Sequence, residues 1–190
     1  MALTSEIKAQ LNKYLVNLKS KVVIEAFVAE DEVSKSMSDL LIELAEMSEE
    51  ISLNIHKDKN ERTPSFKINK PNEITGIQFA GIPMGHEFSS LVLALLQVGD
   101  HPLKISEDLI EQIKRIEGDF VFETFISLSC HNCPDVVQAL NILSLLNPRI
   151  SHCMVDGALF QDEVKAKKIM SVPTVFLNGE EFSQGRMELE

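Results

Sequence analysis

No apolar run in this sequence is long enough to cross a membrane. The longest, residues 91–96, falls far short of the roughly 20 residues that a bilayer span needs. The start, Met1-Ala2-Leu3-Thr4-Ser5-Glu6, has no basic segment ahead of an apolar one, so no secretion signal is read and the cytoplasm is the expected location. Basic residues are outnumbered, 18 Lys and Arg against 29 Asp and Glu, for a net charge of -11. Phosphate backbones are repelled by such a chain, which excludes nucleic acid as a partner. Cysteine is scarce too. Three cysteines are too few, and odd in number, for a disulfide scaffold.

What is present fits a globular protein. Hydrophobic residues make up 44% of 190 positions, too many for a disordered chain and enough for one sizeable domain or two small ones. Helical spacing of Ile7, Leu11, Leu15 and Leu18 predicts a helix over 5–18. Residues 22–28 read as a strand, the stripe from Val33 to Met47 as a helix, and 51–55 as a strand followed by a polar turn over 57–61. Two more strands follow at 64–68 and 76–80, then a helix over 88–98 closed by Gly99. The second half predicts a helix capped by Ser106, a strand over 120–128, and a mostly apolar helix over 133–146. A strand over 150–155, a helix over 158–170 and a hairpin turning at Asn178-Gly179 complete it.

The two halves repeat. Ile24-Glu25-Ala26-Phe27-Val28 resembles Phe122-Glu123-Thr124-Phe125-Ile126, and Thr63-Pro64-Ser65-Phe66 resembles Val172-Pro173-Thr174-Val175. This divides the chain into an α/β unit over 1–102 and a second over 103–190. Glu32-Val33-Ser34-Lys35 in the first stands where the second has Cys130-His131-Asn132-Cys133. The second copy reaches Gly185-Arg186-Met187 where a closing helix is due, so a truncated last helix and a longer parent protein are expected. Whether Leu189-Glu190 is native stays open.

The Cys-x-x-Cys between a strand and a helix is the chemical signal. Two intervening residues let the sulfurs meet across one helical turn. The unpaired N–H groups of the helix start favour thiolate. Cys130, at the helix N-terminus, is expected to attack a disulfide, and Cys133, inside the first turn, to resolve it. Pro134 suits the first turn. Val172-Pro173 ahead of the hairpin strand reads as the cis-proline loop of a thioredoxin-like fold, leaving the Val172 backbone free to pair with a substrate strand. The rival reading, a zinc site, lacks a second Cys-x-x-Cys and would have to draft His131, His152 and Cys153. Cys153, in an apolar strand, reads as a buried inert thiol. His131 either modulates Cys130 or faces solvent. Glu87 reads as a first-turn helix carboxylate.

Ser127-Leu128-Ser129 with the Cys-x-x-Cys and Pro134-Asp135-Val136-Val137-Gln138-Ala139-Leu140-Asn141 closely resembles the N-terminal domain of the flavoprotein (F) subunit of bacterial alkyl hydroperoxide reductase. Gly85-His86-Glu87-Phe88, the 91–96 run, Asn178-Gly179 and Gln184-Gly185-Arg186-Met187 match the same family, so the resemblance spans the chain. It implies two fused thioredoxin-like units sharing a continuous mixed sheet flanked by helices. It implies electrons arriving from a following FAD- and NADH-using module, absent from these residues, and leaving to the disulfide of a peroxiredoxin, the C subunit. It also implies a homodimeric full-length protein and places Glu87 near the redox pair. The segment itself has no glycine-rich nucleotide motif and is expected to bind no cofactor or metal. Two rivals remain: a free-standing two-unit protein disulfide oxidoreductase, which would more naturally keep a Cys-x-x-Cys in each half, and a binding or dimerisation module with a vestigial motif.

Overall fold

A computed structural model describes residues 3–57 and 61–187. The middle of the polar turn, 58–60, and the end of the chain at 188–190, Leu189-Glu190 included, lie outside the described residues. The first half runs α1 (Ser5–Leu15), β1 (Val22–Phe27), α2 (Glu32–Glu46), β2 (Ile51–His56), β3 (Ser65–Lys70), β4 (Glu73–Ala80), a 3₁₀ turn (Gly85–Glu87) and α3 (Phe88–Val98). The second runs α4 (Glu107–Lys114), β5 (Phe120–Ile126), α5 (Cys133–Leu146), β6 (Ile150–Asp156), α6 (Gln161–Ala166), β7 (Thr174–Leu177) and β8 (Glu180–Gln184).

All eight strands form one mixed sheet in the order β2-β1-β3-β4-β6-β5-β7-β8. Each half repeats one plan: β1 pairs β2 in parallel and β3 antiparallel, as β5 pairs β6 and β7. The halves join where β4 and β6 run parallel, Ile77 opposite His152 through Ala80 opposite Val155. β6 therefore lies inside the sheet and is buried at six of its seven positions. Both of its faces are covered, which explains near-continuous burial in place of alternation. β1, with one covered face, does alternate.

Helix starts follow side-chain chemistry. Thr4, Asp31 and Ser106 accept from the N–H groups of Ile7, Ser34 and Leu109, satisfying donors that the first turn leaves free. α3 is buried on most sides because it packs against α1, β3 and α5. α5 lies across the seam, against both β4 and β6, with Cys133, Val136, Val137 and Leu140 inward.

β3 and β4 run over 65–70 and 73–80, longer than the strands expected at 64–68 and 76–80, and three shorter elements have local causes. α1 stops at Leu15, where the Asn17 side chain takes the Lys13 carbonyl. The strand expected over 120–128 ends at Ile126, since Ser127 folds the next residues into a turn. The helix expected over 158–170 shrinks to Gln161–Ala166. Asp156 draws the chain into a turn first, its carboxylate accepting from Ala158 and its carbonyl from Leu159 and Phe160. Lys168, at φ 54°, then stops the helix. No helix of the described residues is long and apolar enough to cross a membrane.

Candidate redox site

Cys130 and Cys133 are joined by a disulfide, their Cα atoms 5.5 Å apart. The bond sits where β5 hands over to α5, at the α5 N-terminus, with Pro134 in the first turn. The two sulfurs differ in access. Cys133 is fully buried, while Cys130 is half-buried at the rim. The Cys133 N–H donates to the Cys130 sulfur at 3.2 Å. A helix-start donor therefore points at the atom that would carry negative charge after reduction.

The turn that presents Cys130 is held from several sides. The Cys130 N–H donates to the Ser127 carbonyl at 2.9 Å, and the Ser127 and Ser129 hydroxyls meet at 3.0 Å. From the first half, the His86 N–H donates to the Leu128 carbonyl at 3.0 Å. This approach requires Gly85, whose φ is +57° and where a Cβ would lie 2.6 Å from the Leu128 oxygen. The His86 ring then packs on the His131 ring, centroids 4.1 Å apart. Neither histidine ring position follows from sequence spacing, because the pair spans the two halves.

The Val172–Pro173 peptide is cis, and the Val172 carbonyl oxygen lies 3.9 Å from the Cys130 sulfur. The Thr174 hydroxyl donates to the Ser171 carbonyl at 2.6 Å, and the Gly185 N–H to the Pro173 carbonyl at 2.8 Å, which pins this loop against β8. The first half carries a cis peptide too, Thr63–Pro64, at the matching place and without cysteines.

Glu87 is fully buried, at the start of α3. The fold keeps the helix-start position expected of this carboxylate and adds full burial. The 3₁₀ turn is pressed onto α5, and Cys133 shares its apolar cluster with Met84, Phe88 and Leu91 around Glu87. Burial pushes the Glu87 pKa up to about 7, against the opposing effect of the Ser90 hydroxyl.

The residues of the rival zinc reading are dispersed. His152 is fully buried, between the Thr124 hydroxyl at 2.8 Å and the Asn141 side-chain oxygen at 2.7 Å, and burial drives its pKa down to about 3. Cys153 is buried, and burial raises its thiol to about 12. No group of three or more His, Cys, Asp or Glu among the described residues is placed to hold a metal.

One cluster has no signature in the sequence. Arg62, just ahead of β3, clamps Glu163 through two hydrogen bonds of 2.8 and 2.6 Å and also bonds Glu123. Its guanidinium passes 3.7 Å from the Cys153 sulfur. Lys167 adds a 3.3 Å contact to Glu123 and lies over the Phe176 ring. Burial opposes ionisation of Glu123, but Arg62 and Lys167 together hold its pKa below the usual carboxylate range. The partners stand 61 and 101 residues from Arg62, so no local pattern reveals them.

A family model described as a thioredoxin domain matches residues 122–190. The alkyl hydroperoxide reductase F subunit of Xanthomonas campestris pv. phaseoli is 57% identical over 188 residues, covering 99% of this chain and 36% of that protein. A Bacillus subtilis protein named NADH dehydrogenase is 55% identical over 190 residues, 100% of this chain and 37% of its own length. The chain thus spans a little over a third of these curated relatives. Among solved structures, the NTD_N/C domain of alkylhydroperoxide reductase AhpF from Enterococcus faecalis is 34% identical. It superposes with a TM-score of 0.91 over 99% of this chain and 96% of that one.

Proposed function

Since the chain belongs to the family of alkyl hydroperoxide reductase F subunits, as a match to their N-terminal domain, we propose that it is a thiol–disulfide relay carrying electrons from a flavin module of the full-length protein to the disulfide of a peroxiredoxin. The observation that carries this reading is the asymmetric pair: a rim sulfur at Cys130 facing a helix-start N–H, and a buried one at Cys133 behind it. In the reduced form, the Cys130 thiolate attacks one sulfur of the partner cystine. The partner's other sulfur leaves as thiolate and takes a proton from water. Cys133 then attacks the Cys130 sulfur, frees the partner as a dithiol, and closes the Cys130–Cys133 disulfide. Two electrons move to the partner and none are left over.

Supporting roles fall to the surroundings. Val172 offers backbone to an incoming strand, with Pro173 shaping the loop beside Cys130. Glu87, buried beside the α5 start, takes up or releases a proton near neutral pH and so tunes the pair. FAD and NADH belong to the module beyond this segment. No glycine-rich nucleotide turn is found in the 190 residues, and no step above runs through either group. The two units, 1–102 and 103–190, divide the labour, the first giving support and the second chemistry. The full-length protein is read as a cytoplasmic homodimer. A free-standing disulfide oxidoreductase is less well supported, since the first unit has no cysteine.

The test is a reconstitution. The chain is reduced with dithiothreitol, desalted, and mixed with an oxidised two-cysteine peroxiredoxin and peroxide. Stoichiometric peroxide loss is expected. Cys133→Ser should accumulate a mixed disulfide through Cys130. If peroxide persists and no adduct forms with a competent peroxiredoxin, the relay is wrong.

A further inference from the structure

A groove of about 340 Å³ opens between the two halves, on the side where Cys130 is presented. Val33 of α2, Ile82, Met84, Leu128 and Leu159 make it apolar. Its charged lining is one-sided, Glu32 and Asp156, with no basic side chain, on a chain of net charge -11. Leu159 is 39% exposed, open to a partner side chain. The groove is continuous with the redox site. Leu128 forms its wall two residues ahead of Cys130, at most about 7 Å of chain away, and its carbonyl is the one that His86 holds. The α2 end of the groove is the segment that replaces the Cys-x-x-Cys in the first half.

We infer that this groove seats the residues flanking the cystine of the disulfide-bearing protein partner: a large apolar side chain inside it and a lysine or arginine against Glu32. The inference rests on the relay reading. A disulfide attacked by Cys130 must lie against the Val172 edge, so its flanking chain on the opposite side passes over Leu128. The groove there offers apolar burial to one side chain and the exposed Glu32 carboxylate to a cation. Small disulfides are too short to reach it. The cysteine-free half thus contributes recognition where it has lost chemistry.

Two variants test this in the reduced chain, each assayed with an oxidised two-cysteine peroxiredoxin and with 5,5′-dithiobis(2-nitrobenzoate). Leu159→Asp is expected to raise the peroxiredoxin KM about tenfold or more, the loss of one large apolar contact, with the small disulfide reduced at the wild-type rate. Glu32→Lys, an exposed change, is expected to raise the same KM several-fold and to weaken its dependence on salt. Far-UV circular dichroism checks that both fold. Unchanged peroxiredoxin kinetics in both variants would overturn the groove while leaving the relay intact. A wild-type chain that reduces the small disulfide but no peroxiredoxin would remove the relay and the groove with it. A wild-type dimer that Leu159→Asp dissociates would assign the groove to a second copy and reject the inference.

Discussion

Replacing Glu87 by Gln should stabilise the protein at neutral pH and leave it unchanged in acid. In the unfolded chain this carboxyl loses its proton near 4.5, while in the fold burial holds the proton to about 7. Between those values the native state binds the extra proton, so stability falls as pH rises through the window. The displacement from 4.5 to about 7 corresponds to roughly 3 kcal/mol once Glu87 is fully ionised. His152 works in the opposite direction. Its unfolded form is protonated below about 6.5, but its buried form stays neutral down to about 3, so its contribution is lost as pH drops below 6.5. From 4.5 to 6.5 the two slopes cancel. Glu87→Gln removes one of them. The stability difference between variant and wild type should grow from near zero at pH 4 to roughly 3 kcal/mol at pH 8, an increase in Tm of about 6–12 °C for a chain this size. With no tryptophan and one tyrosine, far-UV circular dichroism is the suitable monitor, in urea or on heating, with the disulfide kept oxidised. A difference that stays constant from pH 4 to 8 would mean that Glu87 titrates in contact with water, and the burial argument would fail.

Other outcomes are accessible to simple assays. Gly85→Ala should cost roughly 1–3 kcal/mol and slow disulfide exchange, because φ +57° and a 2.6 Å clash with the Leu128 oxygen move the Cys130 turn; thermal melts and thiol kinetics decide it, and unaltered values would show that the close approach is unimportant. Arg62→Met should destabilise by roughly 2–4 kcal/mol, since Glu123 and Glu163 lose their shared cation in a half-buried place; urea titration measures this, and a loss below about 0.5 kcal/mol would reduce the cluster to a surface pair. Iodoacetamide at pH 8 should modify Cys130 of the reduced native protein and leave Cys153, held neutral up to about 12, unlabelled until denaturant is added; peptide mapping would expose the opposite pattern.

Local chemistry made much of this molecule readable. Caps, turns and strand alternation act over a few residues, so Ser106, the Asn178-Gly179 turn with both residues at positive φ, and the handover from β5 to α5 all lie where short-range rules put them. The repeat gave the two-unit plan because both copies retain the same strand pattern. Long-range effects were silent. Asp156 shortened α6 by capturing three backbone N–H groups, a competition no helical stripe records. The β4–β6 pairing leaves no trace in the residues of either strand. The burial of Glu87 had no local signal, because a carboxylate is rarely buried and it takes the docking of the 3₁₀ turn on α5 to hide it. At the redox site, the Cys130–Cys133 spacing and Pro173 could be singled out from sequence, whereas the His86–His131 stack needed the halves brought together.

The β4–β6 seam has a consequence for dissection of the protein. Were the 103–190 half expressed by itself, β6 would become an open margin of unpaired N–H and C=O groups on a strand that is buried in the whole chain, and α5 would lose half its floor. Such a piece would be driven to self-associate along that margin. The thiol-free half is therefore the redox half's permanent neighbour, kept for the flank it closes.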